Sequence, residues 1–314
     1  GSVSRFNEKI RPIDFLPAIK LLISYGAKIS TRCVSEGTFL YKSLYDGRSP
    51  ELIEIMCKCH ADYIPTNFGR SSNTLLHTAV NQRDNPMRTD IVRMFLSAGV
   101  DPNSRDVQGT TAMLTLLSYP VNCECYVLNS AAPCSLHNCS ILQYAIFKLL
   151  LNAGGRFSNS GRSNSGRSNS GIEFDDSNDS MYTILKQQRG PSLVSLQFTM
   201  RMFTEFYIHY YDTRPKSCAH LSPAQYAKNR ILRQLQYVDR YNASIMSTML
   251  SGPNPKVIDE VLNYDSEREL LFSGYIAVFA IQSKHNNIQL IMAILDRVQD
   301  IHNHDNVIKI AIES

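Results

Sequence analysis

Thr74-Leu-Leu-His77-Thr-Ala79, Asp90-Ile-Val-Arg-Met-Phe-Leu-Ser-Ala-Gly99-Val-Asp-Pro-Asn103 and Asp106-Val-Gln-Gly109-Thr-Thr111-Ala-Met-Leu114 are the stretches that decide how this chain folds. The last supplies a turn-forming Asp and Gly, then a Thr suited to cap a helix. Thr111 lies 37 residues after Thr74, and Thr74 lies 36 after Thr38, which opens Thr38-Phe-Leu-Tyr-Lys-Ser43. A second apolar-periodic stretch follows each opening, at 50–60, 90–98 and 147–153, and an earlier copy spans 17–25. Ile91, Val92, Phe95 and Leu96 fall on one face of a helix at that spacing. The second stretches end in Gly26-Ala27, His60-Ala61-Asp62, Gly99-Val100-Asp101 and Gly154-Gly155. Glycine relaxes the left-handed residue that stops a helix. The chain therefore repeats a pair of helices.

In this order the stretches resemble ankyrin repeats. The likeness covers residues 18–117 and becomes degenerate further on. It implies an all-α solenoid of stacked helix pairs, with short loop-tip hairpins and irregular insertions. Spacings of 36–37 exceed the family's repeat of about 33, and the excess falls in the loop 83–89. Leu75 and Phe39 replace the preferred Pro, and Tyr41 and Leu114 replace the preferred His. These departures predict a weakened turn network and irregular hairpins. The resemblance gives His77 a structural role, bonding the backbone of a neighbouring repeat.

The second half reads as the same unit, worn down. Asn178-Asp-Ser-Met-Tyr-Thr183-Ile-Leu echoes a repeat opening, and Ser222-Pro-Ala-Gln225 is a candidate for another. Residues 253–262 read as a second helix, and 277–295 as a first helix, a turn and a second helix. Three segments are expected. Residues 1–158 hold N-terminal repeats with a Cys-rich insertion near 119–138. Residues 159–177 form a flexible linker around Gly161-Arg-Ser-Asn-Ser-Gly166-Arg-Ser-Asn-Ser-Gly171. Residues 178–314 hold degenerate helical repeats.

The insertion gathers Cys123, Cys125, Cys134, His137 and Cys139. Five soft or borderline ligands suffice for tetrahedral zinc, which would order a segment lacking its own core. The one-residue gap between Cys123 and Cys125 departs from the usual paired spacing. A loop that merely holds thiols is the competing reading, and no metal site or cofactor is assigned. Eight cysteines in 314 residues are too sparse for a disulfide framework. With no apolar signal region at Gly1-Ser2-Val3-Ser4-Arg5, reduced thiols in an intracellular compartment, cytoplasmic rather than nuclear, are expected.

The chain is 43% hydrophobic and 19% charged, with 15 Gly and 13 Pro, which excludes collagen-like and wholly disordered classes. The most apolar stretch, 193–211, contains Arg201 and Glu205, so no membrane span is expected. No nucleophile elbow, His-Glu-x-x-His motif or glycine fingerprint after a strand is present, so no catalytic residue is assigned. The net charge of +4 conceals an asymmetry: residues 196–241 carry seven basic and three acidic side chains, and 242–314 carry five and nine. Such asymmetry orients a partner without demanding nucleic acid.

A stack of helix pairs offers an extended concave face to a protein or peptide. In the ankyrin family, contacts come from positions after the repeat-opening Asp and from the last turn of the first helix. The resemblance places these at Val34, Ser35, Tyr45 and Asp46, then Arg70, Ser71, Asn73, Asn81 and Gln82, then Val107, Gln108, Thr110, Ser118 and Tyr119. The expected function is non-enzymatic protein binding, as a scaffold or adaptor. The alternative is RNA or polyanion binding through 196–241, where Tyr207, Tyr210, Tyr211, Tyr226, Tyr237 and Tyr241 interleave with cations. Tyrosines at those spacings also suit a helix core.

Overall fold

The computed structural model describes residues 16–26, 32–33, 37–38, 50–59, 74–82, 87–106, 109–121, 123, 139–157, 181, 184–185, 188, 192–214, 216–236, 245–250, 256–264, 276, 280 and 288–297. Helix dominates them. In chain order come α1 (Leu16–Ser24), strands β1 (Arg32–Cys33) and β2 (Gly37–Thr38), α2 (Pro50–Cys59), α3 (Leu75–Asn81), α4 (Arg88–Ser97), α5 (Ala112–Leu117) and α6 (Ser140–Asn152). The second half holds α7 (Leu193–His209), α8 (Pro223–Gln236), α9 (Ile245–Leu250), α10 (Lys256–Tyr264) and α11 (Ile288–Leu295). Two short 3₁₀ turns, Tyr211–Thr213 and Lys216–Cys218, join α7 to α8.

Packing sorts the first half into two rows. The short helices α3 and α5 lie on each other, and α2, α4 and α6 pack in series. The rows meet where α3 contacts α4 and α5 contacts α6. Short helices are buried on nearly every side: Leu75, Leu76, Ala79 and Val80 in α3, and Ala112, Met113, Leu114, Leu116 and Leu117 in α5, form the core. α4 in the second row exposes one face: Ile91, Val92 and Phe95 are buried while Arg93 and Ser97 are exposed. This is the stripe expected of an amphipathic helix.

The helix ends follow local chemistry. Thr74 and Thr111 occupy N-cap positions in extended conformation, and their hydroxyls accept the backbone N–H of His77 and Leu114. Gly26, Gly99 and Gly154 close α1, α4 and α6 with φ between +82° and +85°. After α4, the Val100 N–H donates to the Phe95 carbonyl at 3.0 Å, and after α6 the Gly155 N–H donates to Leu150 at 2.8 Å. An L-residue in these three positions would be strained, which makes glycine the natural stop.

The loop-tip hairpins share one register. β1 and β2 pair antiparallel with Arg32 opposite Thr38, and an isolated antiparallel bridge sets Arg105 opposite Thr111. Both pairs are six residues apart, so Thr38 stands in its unit where Thr111 stands in the later one. Around the second tip, the Asp106 carboxylate accepts the Thr110 N–H at 2.8 Å and the Asp106 carbonyl accepts the Gly109 N–H at 3.0 Å. Among the described residues of this turn, the irregularity expected beside Leu114 is not seen: Asp106, Gly109 and Thr110 are bonded to one another.

Two boundaries move. α6 begins at Ser140, seven residues before the apolar stretch at 147–153; Ile141, Leu142, Tyr144, Ala145 and Ile146 extend the apolar run, and Ser140 and Gln143 are buried with it. Ser222-Pro223 opens a 14-residue helix in place of a short first helix. The Ser222 hydroxyl accepts the Gln225 N–H while the Gln225 side chain accepts the Ser222 N–H, at 3.3 and 3.1 Å. That reciprocal capping box, with Pro at the first helical position, starts any helix and carries no information about its length.

α7 organises the second half. Leu196, Phe198, Met200, Met202, Phe203, Phe206 and Tyr207 are buried along one broad face, and it packs on α6, α8 and α10. Arg201, Ile208 and His209 remain exposed on the other side. Among the described residues no helix is long and apolar enough to cross a membrane. Phe157 joins the halves, with its ring 4.6 Å from Phe203 and 6.4 Å from Phe147, centroid to centroid. The tract 159–177 lies outside the described residues.

Candidate interaction surface

His77 fixes the second loop tip. The ring is buried; its Nε2 lies 2.8 Å from the Thr110 carbonyl, and its Nδ1 lies 2.6 Å from the Thr74 hydroxyl. A carbonyl only accepts, so Nε2 carries the proton and Nδ1 accepts from Thr74. The chain of bonds runs from the cap of α3 through the imidazole to the turn of the next unit, 33 residues on. Burial lowers the His77 pKa, against the raising effects of the Thr110 bond and the Asp106 charge. The neutral ring is the form this geometry needs, as the resemblance implied for its role.

The next unit solves the same problem without histidine. Leu114 is fully buried, and the Thr111 hydroxyl itself donates to the Arg156 carbonyl at 2.9 Å. Asn103 adds a second clamp. Its amide donates to the Gly154 carbonyl at 3.0 Å and its side-chain oxygen accepts the Arg156 N–H at 2.8 Å. A third link comes from Gln188, which donates to the Leu117 carbonyl at 2.8 Å and accepts from the Ser195 hydroxyl at 2.9 Å. Sequence reasoning quoted Asn103 without a role and passed over Gln188. The Asn at the end of the Gly-Val-Asp-Pro-Asn run was the available signal for the first, and nothing local marks the second.

Arg88 is a further residue missed in sequence. It lies in the stretch read as loop, yet it begins α4, is buried, and its guanidinium donates to the Val80 carbonyl at the end of α3. A cation there meets the negative end of the helix and satisfies an orphan carbonyl.

Of the expected contact residues, five fall among those described. Asn81 and Gln82 end α3, Ser118 and Tyr119 end α5, and Thr110 sits in the loop tip; all are half-buried. Because α3 and α5 pack together, the first four lie at the C-terminal ends of adjoining helices. Several are engaged already: the Ser118 hydroxyl donates to the Leu114 carbonyl at 2.8 Å, the Gln82 N–H donates to the Ala79 carbonyl at 3.3 Å, and the Thr110 carbonyl accepts from His77. Exposed Arg105 stands at the tip, a position sequence reasoning did not select. Val34, Ser35, Tyr45, Asp46, Arg70, Ser71, Asn73, Val107 and Gln108 lie outside the described residues.

The segment proposed for polyanions uses its aromatic faces internally. Tyr207 and Tyr226 are buried edge to face at 6.4 Å, and Arg230 lies 5.4 Å from the Tyr207 ring centroid. The Arg214 guanidinium stacks 3.7 Å from the Tyr211 centroid, and the Tyr210 hydroxyl donates to the Gly155 carbonyl at 2.9 Å. Glu205 accepts from Tyr144 at 3.1 Å and pairs with Lys148 at 3.2 Å. Tyr237 and Tyr241 lie outside the described residues.

Of the five soft ligands in the insertion, Cys123 and Cys139 are described and buried, with sulfurs 3.6 Å apart. Cys125, Cys134 and His137 lie outside the described residues.

Residues 71–107 match the ankyrin repeat family model. The match spans α3, α4 and the Arg105 bridge residue that leads into the Asp106 turn. Among curated proteins the comparison finds no match.

Proposed function

We propose that this chain, which carries an ankyrin repeat at residues 71–107, is a non-enzymatic interaction module, a scaffold or adaptor that binds a protein or extended peptide. The stacked pairs continue through the chain as a solenoid, with degenerate repeats after residue 178. The partner docks on loop tips and first-helix ends, from Val34 to Tyr119. The single observation that carries this is the hydrogen-bonded link between successive units, Thr74–His77–Thr110, which holds a loop tip against its neighbour. A preorganised surface loses less conformational entropy on binding. Tyr and Arg at Tyr45, Arg70, Arg105 and Tyr119 combine area with directed donors, as interface anchors do. The site of action is intracellular, where disulfides form only transiently.

The polyanion reading is disfavoured by the burial of Tyr207 and Tyr226, since a stacking platform needs exposed ring faces.

Affinity purification with mass spectrometry tests the proposal, comparing wild type with two paired variants, Tyr45→Ala with Arg70→Ala and Arg105→Ala with Tyr119→Ala. Proteins retained by wild type and by Arg93→Ala, but lost from both paired variants, are the expected outcome. Retention by every variant, or retention that ribonuclease abolishes, would contradict it.

A further inference from the structure

We propose that Cys123 and Cys139 form a thiol–disulfide modification site whose co-reactant is a small-molecule disulfide of the oxidised glutathione class. This inference is independent of the proposed partner surface. Four observations carry it. The two sulfurs stand 3.6 Å apart, so bond formation at about 2.05 Å needs an approach of only about 1.5 Å. The pair flanks the insertion: Cys123 follows α5, and Cys139 is the residue before α6, a helix of 13 residues. The Ser140 N–H, in the first turn of α6, donates to the Cys123 sulfur at 3.2 Å, and the Ser140 hydroxyl lies 3.4 Å from it. The Ser140 N–H thus holds the Cys123 sulfur in place beside its partner thiol, and the thiolate is the species that attacks a disulfide.

Unequal enclosure sets the order of events, with Cys123 8% exposed and Cys139 1%. The Cys123 thiolate attacks one sulfur of the small disulfide, whose S–S bond breaks to release one thiol. Cys139 then attacks the Cys123 sulfur of the mixed disulfide, and the second small thiol leaves. Two protein thiols become one disulfide, one small disulfide becomes two thiols, and both protons go to the departing thiols. The product ties the trailing end of α5 to the start of α6 and closes the segment 124–138 into a loop.

Trypsin releases residues 106–148 as one peptide, since no Lys or Arg lies between Arg105 and Lys148. In a Cys125→Ser/Cys134→Ser background, that peptide holds only the two thiols in question. Titration of the folded protein with oxidised glutathione should render the peptide lighter by two hydrogens, reversibly with reductant. Adding Cys139→Ser should halt the reaction at a glutathione adduct on Cys123, and adding Cys123→Ser should leave the peptide unmodified. In the wild-type chain, cleavage at Glu124 and Tyr126 separates Cys123 from the other thiols, and fragmentation locates its link without any substitution. A peptide that keeps both thiols while Cys218 is glutathionylated would overturn the proposal. So would a link that forms only in denaturant, or one bound metal ion per chain that keeps the pair from reacting.

Discussion

The openings of α3 and α5 use one cap and two different crosslinks. At Thr74 the hydroxyl donates to His77, and the imidazole carries the connection to Thr110; at Thr111 the hydroxyl reaches the Arg156 carbonyl directly. Leu114 then fills, as core, the place that His77 fills as a relay. A departure from the family pattern is therefore no measure of a damaged turn. What must be preserved is a donor aimed at the next unit's backbone, and either residue arrangement provides one. Asn103 shows the same economy, since one amide binds both a carbonyl and an N–H across the junction.

The comparison breaks most visibly at His77. His77→Leu leaves the buried Thr74 hydroxyl proton without its acceptor and removes the inter-unit bond to the Thr110 carbonyl, which keeps only the Asp106 N–H, at about 1–3 kcal/mol. Chemical denaturation should show a loss of about 3 kcal/mol. The mirror change, Leu114→His, should not stabilise, because the Thr111 donor is already used. It should cost about 2 kcal/mol for burying a polar ring in an apolar site. Equal and opposite effects of the two swaps would show that the openings are interchangeable. Thr111→Val removes a cap and a crosslink together, for a loss of about 2 kcal/mol. Asn103→Asp keeps the acceptor for Arg156 but cannot donate to Gly154, and should cost about 1 kcal/mol by the same denaturation midpoint.

Acid supplies the gentlest test. Because the folded pKa of His77 is lowered, the unfolded chain binds the proton more readily. Its stabilising contribution is complete above the unfolded value of about 6.5 and is lost as pH falls toward the folded value. Protonating Nδ1 also removes the acceptor for the Thr74 hydroxyl. Melting temperature should fall between pH 7 and pH 5 more steeply in wild type than in His77→Leu. Parallel slopes would mean that other groups govern the response.

Legibility in the sequence followed the range of the chemistry. Thr74, Thr111, Asp106 and the glycines at 26, 99 and 154 act on their own turns, so their roles could be read from neighbours a few residues away. The α6 boundary was partly legible in Ile141, Leu142 and Ile146, but Ser140 and Gln143 are buried by residues distant in sequence. Arg88 was hidden for the same reason, its partner being the end of another helix. The Cys123–Cys139 approach spans an insertion whose ligand count was visible but whose folding was not. Among the candidate contacts, positions 81–82 and 118–119 lie at the ends of α3 and α5. That Ser118 spends its hydroxyl on its own helix, and that Tyr207 and Tyr226 turn inward, depend on packing that spacing alone does not determine.

The central claim is that loop tips and first-helix ends form the binding face. It is tested most directly by calorimetric titration of the affinity-selected partner into wild type, Arg105→Ala/Tyr119→Ala and Arg230→Glu/Arg233→Glu, with thermal melts as a control for folding. A central anchor is worth about 1–3 kcal/mol, so the first double variant should weaken binding by about tenfold or more. The charge-reversed variant should bind as wild type does. Unchanged affinity in the first, together with lost binding in the second, would move the site to the α7–α8 region and contradict the account.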